Sequence, residues 1–368
     1  MKKILFDHQI FSMQKIGGIS RYFAELLKFN PQALISLLYT DNVYLQEECF
    51  KKYKLLPKYP NYKEKGLINR MLKNNNYNIS VKILKENNFD VFHPTYYDSY
   101  FLKYLKNKPF VLTVYDMVHE LFPYYYPSKK RRKSKEISPK IDLILKANKV
   151  IAISENTKND ILRFCPQVDE NKIRIIHLGY SFSQQNDNEK AIFPKENFIL
   201  FTGERIRYKN FDTFAQAVAP LLIKYDLRLI CTGAPFSDDE KENLKKLGVF
   251  DRVSSEFVCE EKLSELYSKA ICFVFPSLYE GFGLPILEAF SQNCPCLLSN
   301  ASCFPEIAQN AAQYFEPKSV DDMRNAIEKV ICSPTLQNEM ILKGKTVLQK
   351  YSWEKCAQEH AKLYEEIS

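Results

Sequence analysis

The chain has ten cysteines but no CxxC pair, and no Cys/His grouping has the spacing of a zinc site. Cys294 and Cys296 form a lone CxC inside an apolar run, which reads as free buried thiols in a reducing compartment. No window approaches the roughly 18 apolar residues that a membrane-spanning helix needs. The opening "MKKILFDHQIF" offers only three apolar residues before Asp7, too few for the apolar region of a secretory signal. The expectation is a cytoplasmic protein whose membrane contact, where it has any, is peripheral. No GxGxxG follows a strand, which argues against a dinucleotide-dependent oxidoreductase. There is no DxD motif, and four of the five histidines (His8, His93, His119, His177 and His360) stand far from metal-ligand spacing with anything. No metal or other cofactor is expected.

What remains is an ordinary soluble composition, 45% apolar and 26% charged. With 368 residues the chain exceeds one ordinary core, so two α/β domains are expected. Aromatics reach 14%, with 23 Tyr and 26 Phe, read as a ring-rich core, with carbohydrate or membrane contact as the sharper alternative. The net charge of +8 suits an anionic partner: a nucleotide diphosphate, an acidic lipid surface or nucleic acid. Charge alone does not choose among them.

Short β-branched or aromatic runs alternate with helical patterns, the signature of parallel sheets with crossover helices. In the first half the runs are "KILFD" (3–7), "ALISLLY" (33–39), "FDVFHP" (89–94), "FVLTVYD" (110–116), "VIAIS" (150–154) and "IRIIHLG" (173–179). The polar stretch 181–197 reads as a linker. A second series follows: "FILFTGE" (198–204), "LRLICTG" (227–233), "VSSEFV" (253–258), "CFVFPS" (272–277), "CPCLLSN" (294–300) and "QYFE" (313–316). The expected division is residues 1–182 and 183–351, with a last helix of about 352–368 packing back on the first domain. A cleft between two such halves is the expected binding site.

Within "FVFPSLYEGFGLPILEAF" (273–290) an apolar strand runs through a glycine loop directly into a helix. Gly281 and Gly283 allow a sharp turn and close approach of a ligand, and Pro285 suits the first turn of the helix. The loop N–H groups and the helix N-terminus favour something anionic or hydroxyl-rich. Glu280 and Glu288 can face one cleft and accept hydrogen bonds from vicinal hydroxyls. The bland alternative is two glutamates that favour a helix dipole. In "TGERIRYKNFD" a strand ends at Gly203, and Arg205 and Lys209 precede a helix; two such cations can clamp a diphosphate. Arg207 is a third candidate. "QKIGGISRYF" places Gly17 and Gly18 before another helix, where their N–H groups would face a ligand or merely make a turn. "FPYYYPSKKRRKSK" (122–135) sets three tyrosines beside five basic residues, 129–133: a solvated helix start, or a dock on an anionic membrane.

The paired glutamates of "EGFGLPILE" resemble the signature of the retaining glycosyltransferases of family 4, which have the GT-B fold of two Rossmann-like domains. "GGISRYFAELLK" (17–28), "HPTYY" (93–97), "VLTVYDMVHELFP" (111–123), "ISENTKNDI" (153–161), "FTGERIRYKNFD" (201–212) and "YSWEKCA" (351–357) fall in the family's order. The resemblance implies transfer of a hexose from a nucleoside diphosphate sugar to a glycan or lipid-linked glycan, with retention. It implies that the second domain holds the donor through Gly203, Gly281, Phe282, Gly283, Leu284 and Glu288, with Gly17 and Gly18 meeting the diphosphate. Arg205, Lys209 and Glu280 would act at the departing nucleotide. Where many relatives have a His before the Asp of the fourth strand, this chain has Tyr115, so Asp116 and His119 are the acceptor-side candidates. The wording around Tyr208 and "VYDMVHELFP" most resembles mannosyltransferases of bacterial surface polysaccharide assembly, making GDP-mannose the first expectation and UDP-sugars the second. A sugar-nucleotide epimerase of the same fold, a non-catalytic sugar-binding protein and a nucleic-acid binder are the rival readings.

Overall fold

The structure is a computed structural model that describes residues 2–57, 65–125, 138–180, 182 and 195–367. The basic run 129–133 and most of the 181–197 linker lie outside the described residues. The chain divides into two compact units. One comprises Met1–Leu121, Tyr126–Gly179 and Trp353–Ser368; the other comprises Phe122–Tyr125 and Tyr180–Ser352.

In the first unit, strand β1 (Ile4–Phe6) lies between β2 (Leu34–Ile35) and β5 (Val91–His93), all parallel. A small parallel pair, β3 (Tyr39–Thr40) and β4 (Leu56–Pro57), intervenes in the chain. Strands β6 (Val111–Val114), β7 (Lys149–Ala152) and β8 (Ile173–Ile175) form a second parallel set. A parallel bridge between Phe92 and Phe110 aligns the two sets. Helices connect them: α1 (Gln9–Met13), α2 (Gly18–Phe29), α3 (Lys65–Glu86), α4 (Val118–Leu121), α5 (Pro139–Lys146) and α6 (Glu155–Phe164). Parallel strands are covered on both faces and so read as continuous apolar runs rather than alternating ones. Leu5, Phe92, Leu112, Val114, Val150 and Ala152 are accordingly fully buried. The "ISENT" stretch becomes a helix start because the Ser154 hydroxyl accepts the Thr157 N–H at the N-cap of α6.

The C-terminal helix, Trp353–Glu366, belongs to this first unit. It is tied down by a buried chain of hydrogen bonds. His360 Nδ1 lies 2.7 Å from the Cys356 carbonyl, which can only accept, so Nδ1 carries the proton. His360 Nε2 then accepts from the Tyr22 hydroxyl at 2.5 Å. Tyr22 in turn accepts from Thr113 Oγ1 at 2.9 Å, Thr113 from His93 Nε2 at 2.9 Å, and His93 Nδ1 from Tyr364 at 2.7 Å. Every donor is used once and both imidazoles are neutral. Burial lowers the His93 pKa well below its ordinary value and pushes that of His360 down to about 4.

The second unit is a six-stranded parallel sheet in the order β11-β10-β9-β12-β13-β14. The strands are β9 (Glu196–Thr202), β10 (Arg228–Thr232), β11 (Val253–Glu256), β12 (Ala270–Phe275), β13 (Cys296–Ser299) and β14 (Ala312–Phe315). Their helices are α7 (Phe211–Lys224), α8 (Asp238–Lys246), α9 (Glu260–Lys269), α10 (Leu284–Ser291), α11 (Phe304–Ala308), α12 (Val320–Ile331) and α13 (Pro334–Leu348). Ile199, Phe201, Phe214, Leu229, Val274, Leu297 and Ile327 form its dry centre. No described helix is long and apolar enough to cross a membrane.

Candidate active site

From β9 the chain steps outward to β10 and β11, then resumes at β12 on the other flank of β9 and continues to β13 and β14. The carboxyl ends of β9 and β12 therefore mark the point where the winding reverses, the place where open α/β sheets hold ligands. Two sequence-predicted segments meet there. The Leu278 N–H donates to the Tyr208 carbonyl at 2.7 Å. The Asn210 amide donates to the Pro276 and Pro317 carbonyls at 3.1 and 2.7 Å. With the backbones joined, Lys209 Nζ stands 2.7 Å from Glu280 Oε1, and these side chains are only 18% and 14% exposed. The ammonium also lies over the Phe275 and Tyr208 rings.

The loop beyond Glu280 is held from beneath. Ser302 Oγ accepts the Glu280 N–H at 3.1 Å, and the Cys303 thiol donates to the carbonyls of Glu280 and Phe282. Burial, reinforced by the charges of Glu280 and Glu306, pushes the Cys303 pKa well up, so the thiol remains a donor. Phe282 is buried edge-on to Tyr351. Gly283 adopts φ +103°, where a Cβ would come within 2.9 Å of Ile286 Cδ1. Leu284 then opens α10 with Pro285 in the first turn. Glu288, half-buried, lies near the Tyr267 hydroxyl, whose pKa is raised first by burial and next by the Glu288 charge. That hydroxyl is 3.3 Å from Thr202 Oγ1 at the end of β9. The Glu288 charge is thus felt at a hydroxyl beside the end of β9, the strand that Lys209 follows.

Arg205 has other partners. Its Nε donates to Glu240 Oε1 at 2.8 Å, Nη1 to Ser255 Oγ at 3.0 Å and Nη2 to the Ala234 carbonyl at 2.6 Å. The guanidinium lies 4.5 Å from the Phe236 ring centre, and the side chain is 4% exposed. Burial pushes the Glu240 carboxyl up, but Arg205 and the Ser237 N–H outweigh it and hold it below its usual range. Arg205 and Lys209 follow the same strand, but the structure does not bring them together on Glu280. The signal for Glu240 was present in "SDDE": a capping box in which Ser237 and Glu240 close the start of α8 reciprocally. Arg207 is exposed with φ +45°. Gly203, at φ +100°, follows β9, and a Cβ there would meet nothing within 4 Å.

The remaining candidates belong to the first unit. Gly17 is the N-cap and Gly18 the first residue of α2, where the Gln14 side chain accepts the Ser20 N–H. Asp116 follows β6 and accepts the Val118 N–H; His119 is exposed on α4. Tyr115 is buried among the rings of Tyr22, Phe23 and Tyr97, and burial drives its pKa well above the ordinary phenol value. Its hydroxyl finds no partner among the described residues.

Sequence reasoning passed over Asp7, which closes the corresponding winding reversal between β1 and β5. Its carboxylate accepts from the Thr95 N–H and hydroxyl, the Gln9 N–H and amide, and Tyr100. It also passed over Lys140 and Glu120, an ion pair at 2.9 Å whose side chains are each 5% exposed. No local pattern marks residues that meet only in three dimensions.

Residues 16–184 match the family described as Glycosyltransferase Family 4, and residues 182–347 match Glycosyl transferases group 1. The O-antigen chain mannosyltransferase RfbU of Salmonella typhimurium is 28% identical over 216 residues, 58% of this chain and 59% of that protein. The match therefore spans about three fifths of that relative's length. Among solved structures, sucrose-phosphate synthase from Thermosynechococcus elongatus superposes with a TM-score of 0.72 at 17% identity, covering 100% of this chain and 99% of that one. HepE from Anabaena, in complex with UDP and glucose, gives 0.71 at 16% identity, covering 99% of each. The two family matches run consecutively over nearly the whole chain, and the chain belongs to the family 4 glycosyltransferases, with the GT-B fold.

Proposed function

We propose that the protein transfers a hexose from a nucleoside diphosphate sugar to a hydroxyl of a glycan or lipid-linked glycan in surface polysaccharide assembly, with retention at the anomeric carbon. The observation that carries this reading is the Lys209–Glu280 pair at the winding reversal, directly before a glycine loop that leads into α10 and Glu288. Glu288 holds the ribose hydroxyls. Glu280 and the backbone from Gly281 through Phe282 and Gly283 to Leu284 hold the sugar and diphosphate. Lys209 takes up charge as the nucleotide leaves, a role for a cation held in place before the reaction. Arg205 is the second cation, with an incoming phosphate exchanging for the Glu240 carboxylate. No metal is required where two side-chain cations supply the charge. Gly17, Gly18, Asp116 and His119 serve the diphosphate and the acceptor.

The name of RfbU supports mannose, and GDP-mannose is the first donor of this reading; the UDP and glucose of the HepE structure support a UDP-sugar as the second. The protein works at the inner face of the membrane without spanning it. The test is incubation with GDP-mannose or UDP-glucose, with and without an alkyl mannoside acceptor. The reading expects acceptor-dependent nucleotide release and a product of the donor's own anomeric configuration by NMR. Isomerised donor without acceptor identifies an epimerase instead, and binding without turnover identifies a sugar-binding protein.

A further inference from the structure

The first unit carries a buried ionic pair that the donor chemistry does not use. Lys140, on α5, has its ammonium 2.9 Å from Glu120 Oε2 on α4 and donates to the Asp116 carbonyl, also at 2.9 Å. It stands 3.8 Å from Asp116 Oδ1 and 5.2 Å from the centre of the Tyr97 ring. Glu120 Oε1 accepts from the Ser138 hydroxyl at 3.2 Å. Both members of the pair are 5% exposed, whereas the Asp116 side chain is 35% exposed. Withdrawing two charges from water is costly, and a hydrophobic pair of similar volume often serves a fold as well or better. Besides pairing with Glu120, the ammonium reaches Asp116: it donates to the carbonyl and lies 3.8 Å from the carboxylate. Oδ1 accepts the Val118 N–H and faces the ammonium at 3.8 Å, while Oδ2 accepts no hydrogen bond among the described residues.

We propose that Lys140 and Glu120 are positioning residues that fix the Asp116 carboxylate so that its second oxygen receives the acceptor hydroxyl. This rests on the reading of Asp116 as the acceptor-side group. Lys140 sets the direction of the carboxylate, Glu120 holds Lys140, and Ser138 at the start of α5 holds Glu120. The acceptor's hydroxyl donates a hydrogen bond to Oδ2, and no proton passes to Lys140 or Glu120.

The test compares Asp116→Asn, Lys140→Met and the double variant Lys140→Met/Glu120→Met, using GDP-mannose as donor and octyl α-mannoside as acceptor probe. Transfer kcat, GDP affinity and Tm are measured for each. The double variant removes both buried charges, so its Tm recovers relative to Lys140→Met. Positioning predicts that its kcat does not recover: it stays at least tenfold below wild type, as does that of Asp116→Asn, with GDP affinity within twofold. Glu120→Gln keeps the shape and the Ser138 contact, and it also lowers kcat while leaving donor KM unchanged. Transfer that recovers together with Tm in the double variant makes the pair merely structural and overturns the proposal. Asp116→Asn at wild-type rate overturns the acceptor-side reading and the proposal with it. Slow Asp116→Asn beside a fast double variant overturns the pair alone. No transfer by the wild type overturns the functional reading beneath both.

Discussion

In the proposed function Lys209 and Glu288 serve two separable parts of the reaction. In that proposal Glu288, on α10, binds ribose in the ground state as well as in the transition state. Glu288→Ala is therefore expected to raise donor KM by one to two orders of magnitude with a smaller change in kcat. In the same proposal Lys209 meets charge that grows only as the nucleotide departs, so Lys209→Ala is expected to lower kcat about a hundredfold, on the scale of removing one oriented electrostatic donor. Steady-state kinetics on both variants check this. Equal effects on KM and kcat in the two variants would remove the division of labour. Gly283 makes a different prediction. At φ +103°, with Ile286 crowding the Cβ site, Gly283→Ala is expected to cost about 1–3 kcal/mol and to misplace the loop from Gly281 to Leu284. Urea denaturation and donor affinity read the two consequences separately. At this scale the sequence disclosed the residue types but not every partner. "EGFGLPILE" announced its carboxylates and glycines, whereas Arg205 looked like a companion of Lys209. Its true neighbour, Glu240, is 35 residues away and is brought close by α8.

Among the elements, the C-terminal helix is the one whose placement depends most on buried polar chemistry. His360 and His93 are neutral because each accepts a hydrogen bond in a sealed chain from Tyr364 to the Cys356 carbonyl. Both folded pKa values lie below the unfolded value of about 6.5. Between that value and about 4 for His360, the unfolded chain takes up a proton that the folded chain refuses. Stability from this network is thus fully present above about pH 6.5 and lost progressively as pH falls towards the lowered folded values. Tm measured from pH 7.5 to 4.5 should fall along that limb, and His360→Gln should flatten it. An acid limb unchanged by the substitution would place the proton uptake elsewhere. The alternation of apolar runs and helical stretches made the strands legible, since parallel strands buried on both faces have few other compositions. The hydrogen-bonded chain was not legible, because its members span residues 22 to 364 and each is unremarkable locally.

For the molecule as a whole, two parallel α/β units and the family were readable because the motifs fall in a fixed order along the chain. Donor and acceptor were not, since they depend on loops whose side chains carry no distinctive pattern. Binding to the folded state alone raises stability by mass action, by about 2.7 kcal/mol at a ligand concentration a hundred times Kd. The most direct test is therefore a thermal-shift comparison of the intact protein and Glu288→Ala against GDP-mannose, UDP-glucose and the free sugars. The account predicts that at least one nucleoside diphosphate sugar raises Tm in the wild type and raises it clearly less in Glu288→Ala at the same concentration, while free sugars raise neither. A panel in which no nucleotide sugar moves the wild-type Tm, or in which Glu288→Ala responds as strongly as wild type, would contradict it.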